Sequence, residues 1–281
     1  MDNVIVVRQP GHGMLELPIA VVIPLYNEER ILTGKLEEIG AIFDGLVGSG
    51  NWHFVLVENG SSDATPRLAA EATHRWPPSY VVTLAEPNYG AALKAGLRSV
   101  KRRWAFTLDI EQWDAPFIAW AWKNRQSYEL FIGSKRADPT LNQQAPYRRL
   151  LSCGLNGVLQ VLTQFSGTDT HGCKLIDCDS LRQIVDACQL DRGQFDTEMV
   201  LRAIRGQKRI VELPVEYREY RPMRNWMVKK IVWNLLAIRR LKRVMADVPF
   251  KGPIRHYRFA REDLLAVSAA EPVAQKEYGV V

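Results

Sequence analysis

Ile19-Ala-Val-Val-Ile-Pro-Leu-Tyr-Asn-Glu-Glu29 is the stretch on which the reading of this chain turns. Ile19 to Ile23 is a continuous apolar run with no alternation, which predicts a strand buried on both faces. The polar Asn27-Glu28-Glu29 closes it, and Leu32, Leu36, Ile39, Ile42 and Phe43 then recur at helical spacing. Gly48 to Gly50 breaks that helix. The same alternation continues downstream. Strands are predicted over 53–57, 80–84 and 104–108, and helices over 65–73 and 90–100, with Pro77-Pro78 as a breaker. Strands that alternate with helices predict an α/β fold: a Rossmann-like, mostly parallel sheet with helices on both faces.

In such sheets ligands bind beyond the carboxyl ends of the strands. Three of the predicted strand ends are polar: Tyr26-Asn27-Glu28, Glu58-Asn59-Gly60-Ser61-Ser62-Asp63 and Asp109-Ile110-Glu111. Each is compatible with helix capping. Their repetition points to one polar crevice.

The 281 residues carry a net charge of +6, with 47% hydrophobic and 24% charged residues. This is a globular composition, and its positive surplus favours anionic partners. Cys153, Cys173, Cys178 and Cys188 contain no Cys-x-x-Cys pair, so they read as thiols of a reducing compartment. No leader pattern is expected at the N-terminus, and no stretch approaches the ~20 apolar residues of a membrane span. Residues 137–149 read as a long polar loop, followed by a helix over 150–165.

From Arg224 to Arg243 there are seven cationic and no anionic side chains. Met227, Ile231, Leu235, Ile238, Leu241 and Met245 share an apolar arc, with Lys229, Arg240 and Arg243 opposite and Lys242 inside the arc. This basic amphipathic helix suits an anionic membrane surface. The alternative is a helix packed on the domain with its charge in water. The expected division is a main domain over 1–222, a basic helical appendage over 223–265 and a loose tail over 266–281. No nucleic-acid module is recognisable.

Several ordered motifs run from Ile19 to Arg243. They are Val22-Ile-Pro24-Leu-Tyr26-Asn27-Glu28-Glu29, Val57-Glu58-Asn59-Gly60-Ser61-Ser62-Asp63-Ala64-Thr65 and Tyr89-Gly90-Ala-Ala-Leu-Lys94-Ala-Gly96. Asp109-Ile110-Glu111, Gly133-Ser134-Lys135-Arg136 and Thr168-Asp169-Thr170-His171-Gly172-Cys173-Lys174 follow, then Gln194-Phe195-Asp196-Thr197-Glu198 and Glu212-Leu213-Pro214-Val215. Together they resemble the family-2 inverting glycosyltransferases of GT-A fold, and most of all the dolichyl- and polyprenyl-phosphate sugar synthases. Where that family has paired aspartates, this chain has Glu58 and Asn59. Where it has Asp-x-Asp, this chain has Asp109 and Glu111, with Asp114 as a further carboxylate.

The resemblance implies an enzyme that binds a nucleotide-diphosphate sugar through Pro24, Tyr26, Glu28, Glu58, Asp63 and Gly90. It implies a divalent cation, Mg2+ or Mn2+, on Asp109 and Glu111, where a hard cation neutralises the departing diphosphate. Asp109, Arg136 and Asp196 are the implied catalytic residues, with Asp196 as base if the acceptor is a hydroxyl. Arg148, Arg149, Lys174 and Arg221 are the implied acceptor-binding cations. Three readings stay open from sequence: transfer to a polyprenyl phosphate at the cytoplasmic, inner membrane face; transfer to a hydroxyl acceptor; and a non-catalytic nucleotide-sugar binder. Self-association is compatible with each.

Overall fold

A computed structural model describes residues 4–6, 19–144, 154, 156–161, 163, 165–218, 227–251 and 254–266, with backbone alone for 4–6 and 227–235. Its contacts divide the chain into two compact units, the first of 1–115, 173–187 and 191–195, the second of 116–172, 188–190 and 196–281.

The first unit holds the predicted strand and helix rhythm, preceded by a short strand, Val4–Val6, that the sequence reading does not include. β1 (Val4–Val6), β2 (Ile19–Leu25), α1 (Leu32–Val47), β3 (Trp52–Asn59), α2 (Thr65–Arg75), β4 (Tyr80–Leu84), α3 (Tyr89–Ser99) and β5 (Trp104–Thr107) follow in chain order. Its strands lie in the order β1, β4, β3, β2, β5, then β7 (Lys174–Asp177). β2 to β5 pair in parallel, whereas β1 on β4 and β7 on β5 are antiparallel. Ile19 to Ile23 are all fully buried, as an unalternated apolar run requires. α3 packs on β2 and β3. Gly96 is what allows it so close: a Cβ there would lie 2.5 Å from Val22 Cγ1. After β7 comes α5 (Cys178–Ala187), tied to α3 by Arg98 and Asp186 at 2.8 Å.

The second unit contains α4 (Ala115–Lys123), β6 (Leu130–Ser134), α6 (Phe195–Arg205), β8 (Ile210–Pro214), α7 (Met227–Ala246), β9 (His256–Arg258) and α8 (Arg261–Ala266). β6, β8 and β9 form a parallel set. An aromatic cluster of Trp120, Tyr128, Phe131, Tyr257 and Phe259 joins α4 to β6 and to the chain around β9. The strand–helix rhythm does not predict β9, three residues long and edge-placed.

In α7, Ala237, Ile238, Leu241 and Met245 are buried, while Leu236, Arg239, Arg240, Lys242 and Arg243 are exposed. Burial of Ile238, Leu241 and Met245 is worth about 1.5–3 kcal/mol each. Lys242, placed in the apolar arc by periodicity, is exposed at its border. Arg205 of α6 donates to the carbonyls of Met245 and Val248, the latter at 2.8 Å, and satisfies the open end of α7. The last turns of α7 therefore spend their apolar side on the protein and keep their cations in solvent. No helix among the described residues is long and apolar enough to cross a membrane.

Candidate active site

In the first unit the polar residues gather where the sheet register ends. Leu25 lies opposite Glu58, and Val22 lies opposite both Val55 and Thr107. The bond from Leu108 N–H to the Val22 carbonyl, 3.0 Å, extends the β5 pairing, so Asp109 falls level with Pro24 on the adjacent strand. Adjacent strands are ~4.8 Å apart. Pro24, Glu58 and Asp109 thus lie on three neighbouring strands at one edge of the sheet. Antiparallel β7 begins at the same edge, with buried Lys174 opposite Thr107.

The turns after β2 and β3 are laced together. Asn27, at φ 55, has the left-handed backbone that asparagine tolerates better than most residues. Its N–H donates to Ser61 Oγ at 3.1 Å, and its side-chain oxygen accepts the Ser62 N–H at 2.9 Å. The Glu28 N–H donates to Thr65 Oγ1 at 2.7 Å, and the Glu29 N–H to Asp63 at 3.2 Å. Asp63 also accepts the Thr65 N–H at the start of α2, 2.9 Å. Its slight burial acts upward, but the bonds from Thr65 and Glu29 outweigh it and hold the carboxyl below its ordinary value. Glu58 is buried and accepts the N–H groups of Gly60 and Ser61 at 3.3 and 2.6 Å. Tyr26 stands out exposed at the end of the strand.

Asn59 and Asn88 make a chain of amides that sequence reading misses. Asn59 accepts the Asn88 N–H at 2.7 Å. The Asn88 side-chain oxygen then accepts both the Ala91 N–H, capping α3, and the Arg192 N–H, at 3.2 and 2.7 Å. Its amide nitrogen donates to Asp191 at 2.8 Å. Gly90 lies directly under this segment: a Cβ would come within 2.7 Å of the Asp191 and Arg192 backbone. Replacing Asn88 with alanine removes the cap and both tethers. Urea denaturation is expected to show a loss of about 1–2 kcal/mol.

Asp109 is exposed, and its carboxylate accepts the Glu111 N–H at 3.0 Å within a turn closed by Gln112 N–H on the Asp109 carbonyl, 3.0 Å. Glu111 is half-buried and Asp114 buried. Two carboxylates on one turn form a hard-oxygen donor set. That set fits a divalent cation completed by phosphate oxygens and water. No group of three or more His, Cys, Asp or Glu side chains able to hold a metal occurs among the described residues.

In the second unit Arg136 bonds the Thr168 carbonyl at 2.9 Å and pairs with Asp169 at 3.2 Å. Burial acts to raise the Asp169 carboxyl, but Arg136, Lys135 and His171 together hold it below the usual carboxylate range. Asp169 Oδ2 and Arg136 Nε are buried without a hydrogen-bond partner among the described residues. Asp196 is buried in the first turn of α6. Glu198, two residues on in the same first turn, is fully buried and accepts the N–H groups of Gln189 and Leu190 while pairing with Arg202 at 2.7 Å. Arg148, Arg149 and Arg221 lie outside the described residues.

A family model described as glycosyl transferase family 2 matches residues 20–116, the segment that contains β2 to β5, Asp109 and Glu111. Residues 20–116 are a glycosyl transferase family 2 domain. Over 205 residues the chain is 30% identical to undecaprenyl-phosphate 4-deoxy-4-formamido-L-arabinose transferase of Edwardsiella ictaluri, covering 72% of this chain and 60% of that one. It is 25% identical over 212 residues to dolichyl-phosphate beta-glucosyltransferase ALG5A of Trichomonas vaginalis, covering 72% and 66%. The chain thus spans about 60% of the length of the first of these relatives. Among solved structures, glucosyl-3-phosphoglycerate synthase of Mycobacterium tuberculosis, in complex with Mn2+, UDP-glucose and phosphoglyceric acid, superposes with a TM-score of 0.52. That match has 18% identity and covers 88% of each chain. The likeness shows the GT-A fold of the glycosyl transferase domain. The polar sheet edge described above lies within this domain.

Proposed function

We propose that this chain is an inverting glycosyltransferase that moves a sugar from a nucleoside diphosphate to a polyprenyl phosphate. The observation that carries the reading is the 30% identity, over 72% of the chain, to a transferase named for an undecaprenyl-phosphate acceptor. The polar edge of the glycosyl transferase domain supports it.

In this reading Tyr26, Pro24, Glu28, Glu58 and Asp63 frame the nucleotide, and Gly90 serves it by admitting the 191–192 chain. Asp109 and Glu111 hold Mg2+ or Mn2+, which when bound supplies positive charge to the departing diphosphate. The lipid phosphate oxygen is already anionic and needs no strong base. Arg136 and Lys174, with Arg148, Arg149 and Arg221, orient it by charge-assisted bonds. Asp196 takes the role of base only for a hydroxyl acceptor. The exposed Arg239, Arg240, Lys242 and Arg243 of α7 rest on anionic lipid at the cytoplasmic face of the membrane, where each cation contributes about 1 kcal/mol near the surface.

The experiment uses anionic phosphatidylglycerol vesicles doped with a short polyprenyl phosphate, Mn2+ and a panel of radiolabelled nucleotide sugars. One donor is expected to give label extractable into organic solvent. Raising salt from about 0.1 to 0.5 M is expected to lower both vesicle binding and product, because surface charge is screened. Label appearing only on a soluble saccharide acceptor overturns the lipid reading in favour of the hydroxyl one.

A further inference from the structure

Glu212 lies in β8 with a fully buried carboxylate, and every group bonded to that carboxylate is a donor. It accepts the Thr168 N–H at 2.8 and 3.0 Å, the Thr168 hydroxyl at 2.8 Å and the Asp169 N–H at 3.4 Å. From β9, Arg258 pairs with it at 3.4 Å and His256 Nε2 stands 3.6 Å away. His256 is held neutral: burial first, then Arg258, lower it to about 4. Its Nδ1 contacts Ser166 Oγ at 2.9 Å. Gly167 makes the approach possible, since a Cβ there would sit 2.3 Å from Glu212 Oε1.

The chain of bonds continues outward in a fixed sense. Because the Thr168 hydroxyl donates to Glu212, the Ser134 hydroxyl donates to Thr168 Oγ1, at 2.7 Å. Ser134 Oγ in turn accepts the N–H groups of Arg136 and Ala137 at 3.2 and 3.1 Å. The Thr168 carbonyl and Asp169 hold the Arg136 guanidinium. Asp169 also accepts the N–H groups of Thr170 and His171 at 2.8 and 3.1 Å. The Thr170 hydroxyl meets Thr197 Oγ1 at 2.8 Å, on the residue next to Asp196.

We propose that Glu212 is a positioning residue: its buried carboxylate fixes the 166–172 segment, and through it both the Arg136 guanidinium and the helix start that bears Asp196. The roles of Arg136 and Asp196 rest on the transfer reading; the geometry does not. A carboxylate, which only accepts, suits this ring of donors. An amide of the same shape turns an NH2 group toward N–H groups and breaks the order.

The test compares Glu212→Gln and Thr168→Val with the unaltered full chain. Hydrogen exchange over 166–172 is expected to rise about tenfold or more in Glu212→Gln, with β6 and α6 protected as before. In lipid-phosphate transfer its kcat is expected to fall about 10- to 100-fold, with the KM for the nucleotide sugar within about twofold. Thr168→Val removes the hydroxyl link and keeps the N–H, so it is expected to fall between the two. If Glu212→Gln does not fold, Thr168→Val carries the same two measurements, and native values in it overturn the proposal. Unchanged exchange, or a native kcat in a folded Glu212→Gln, overturns it as well. If the unaltered chain transfers to no lipid phosphate, the functional reading fails, and exchange over 166–172 alone decides the positioning role.

Discussion

Asp109→Ala is expected to lower transfer by about 10²- to 10⁴-fold, or roughly 3–5 kcal/mol in the barrier, while the protein stays folded. Asp109 stands exposed one residue past Leu108, at the carboxyl edge of the sheet and level with Pro24 on the neighbouring strand. It accepts the N–H of Glu111 in the same turn and lies in solvent, so alanine adds no bulk to the core. In the proposed reaction the departing diphosphate gains negative charge as its bond to the anomeric carbon breaks. In the proposed site, loss of this carboxylate weakens the hold on the cation that offsets that charge. Glu111→Gln is expected to cost less, because one carboxylate then remains beside the phosphate oxygens. Initial rates across a Mn2+ titration, with thermal melts of each variant, check this. A large rise in the Mn2+ concentration for half-maximal rate, with an unchanged melt, is the expected pattern. A native rate in Asp109→Ala removes Asp109 from the proposed cation site.

Gly172→Ala is expected to be strongly destabilising. A Cβ at Gly172 would lie 1.6 Å from the Gly133 carbonyl oxygen and 2.8 Å from its carbon. Both atoms are backbone, and Gly133 lies within β6, which is paired along its length with β8. No rotamer change relieves the clash, so strand or segment must shift. Overpacking of this kind typically costs 1–3 kcal/mol and more when backbone must move, so a loss above about 3 kcal/mol is expected. The contrasting variant is Gly34→Ala in α1, where nothing lies within 4 Å of the new methyl. It is expected to gain about 0.5–1 kcal/mol. Urea denaturation of the two variants beside the unaltered chain gives both values. Equal stability in Gly172→Ala and Gly34→Ala contradicts the close approach of Gly172 to β6.

Much of the fold is legible in sequence for a simple reason. A strand buried on both faces must be apolar throughout, and Ile19 to Ile23 could be little else. The helices from Leu32 and from Gly90 show themselves by spacing that one buried face imposes. Even the acidic strand ends are visible, because polar residues directly after an apolar run mark where chain meets solvent or ligand. β7 and β9 are not legible in the same way. Each is short, and each owes its strand form to a neighbour: β7 to β5, and β9 to β8. The basic helix was legible in composition alone. Charge and periodicity suit a membrane surface but admit a protein surface too, and the burial of Ile238, Leu241 and Met245 shows that its last turns use their apolar side on the protein.

The candidate site divides along the same line. Local sequence determined that Asp109 and Glu111 share a turn, that Asn27 to Glu29 follow a buried strand, and that Asp196 opens a helix. Those facts depend on residues a few positions apart. Tertiary structure alone decided that Asn88 binds Arg192, 104 positions away, and that Glu212 binds Thr168, 44 positions away. Buried polar groups need partners, and in a folded chain those partners come from whichever segment the sheet brings alongside. The opening strand fixed which kind of sheet this protein builds; only the packed sheet decided which carboxylates stay exposed at the strand ends, like Asp109, and which, like Glu198 and Glu212, hold the protein's own backbone.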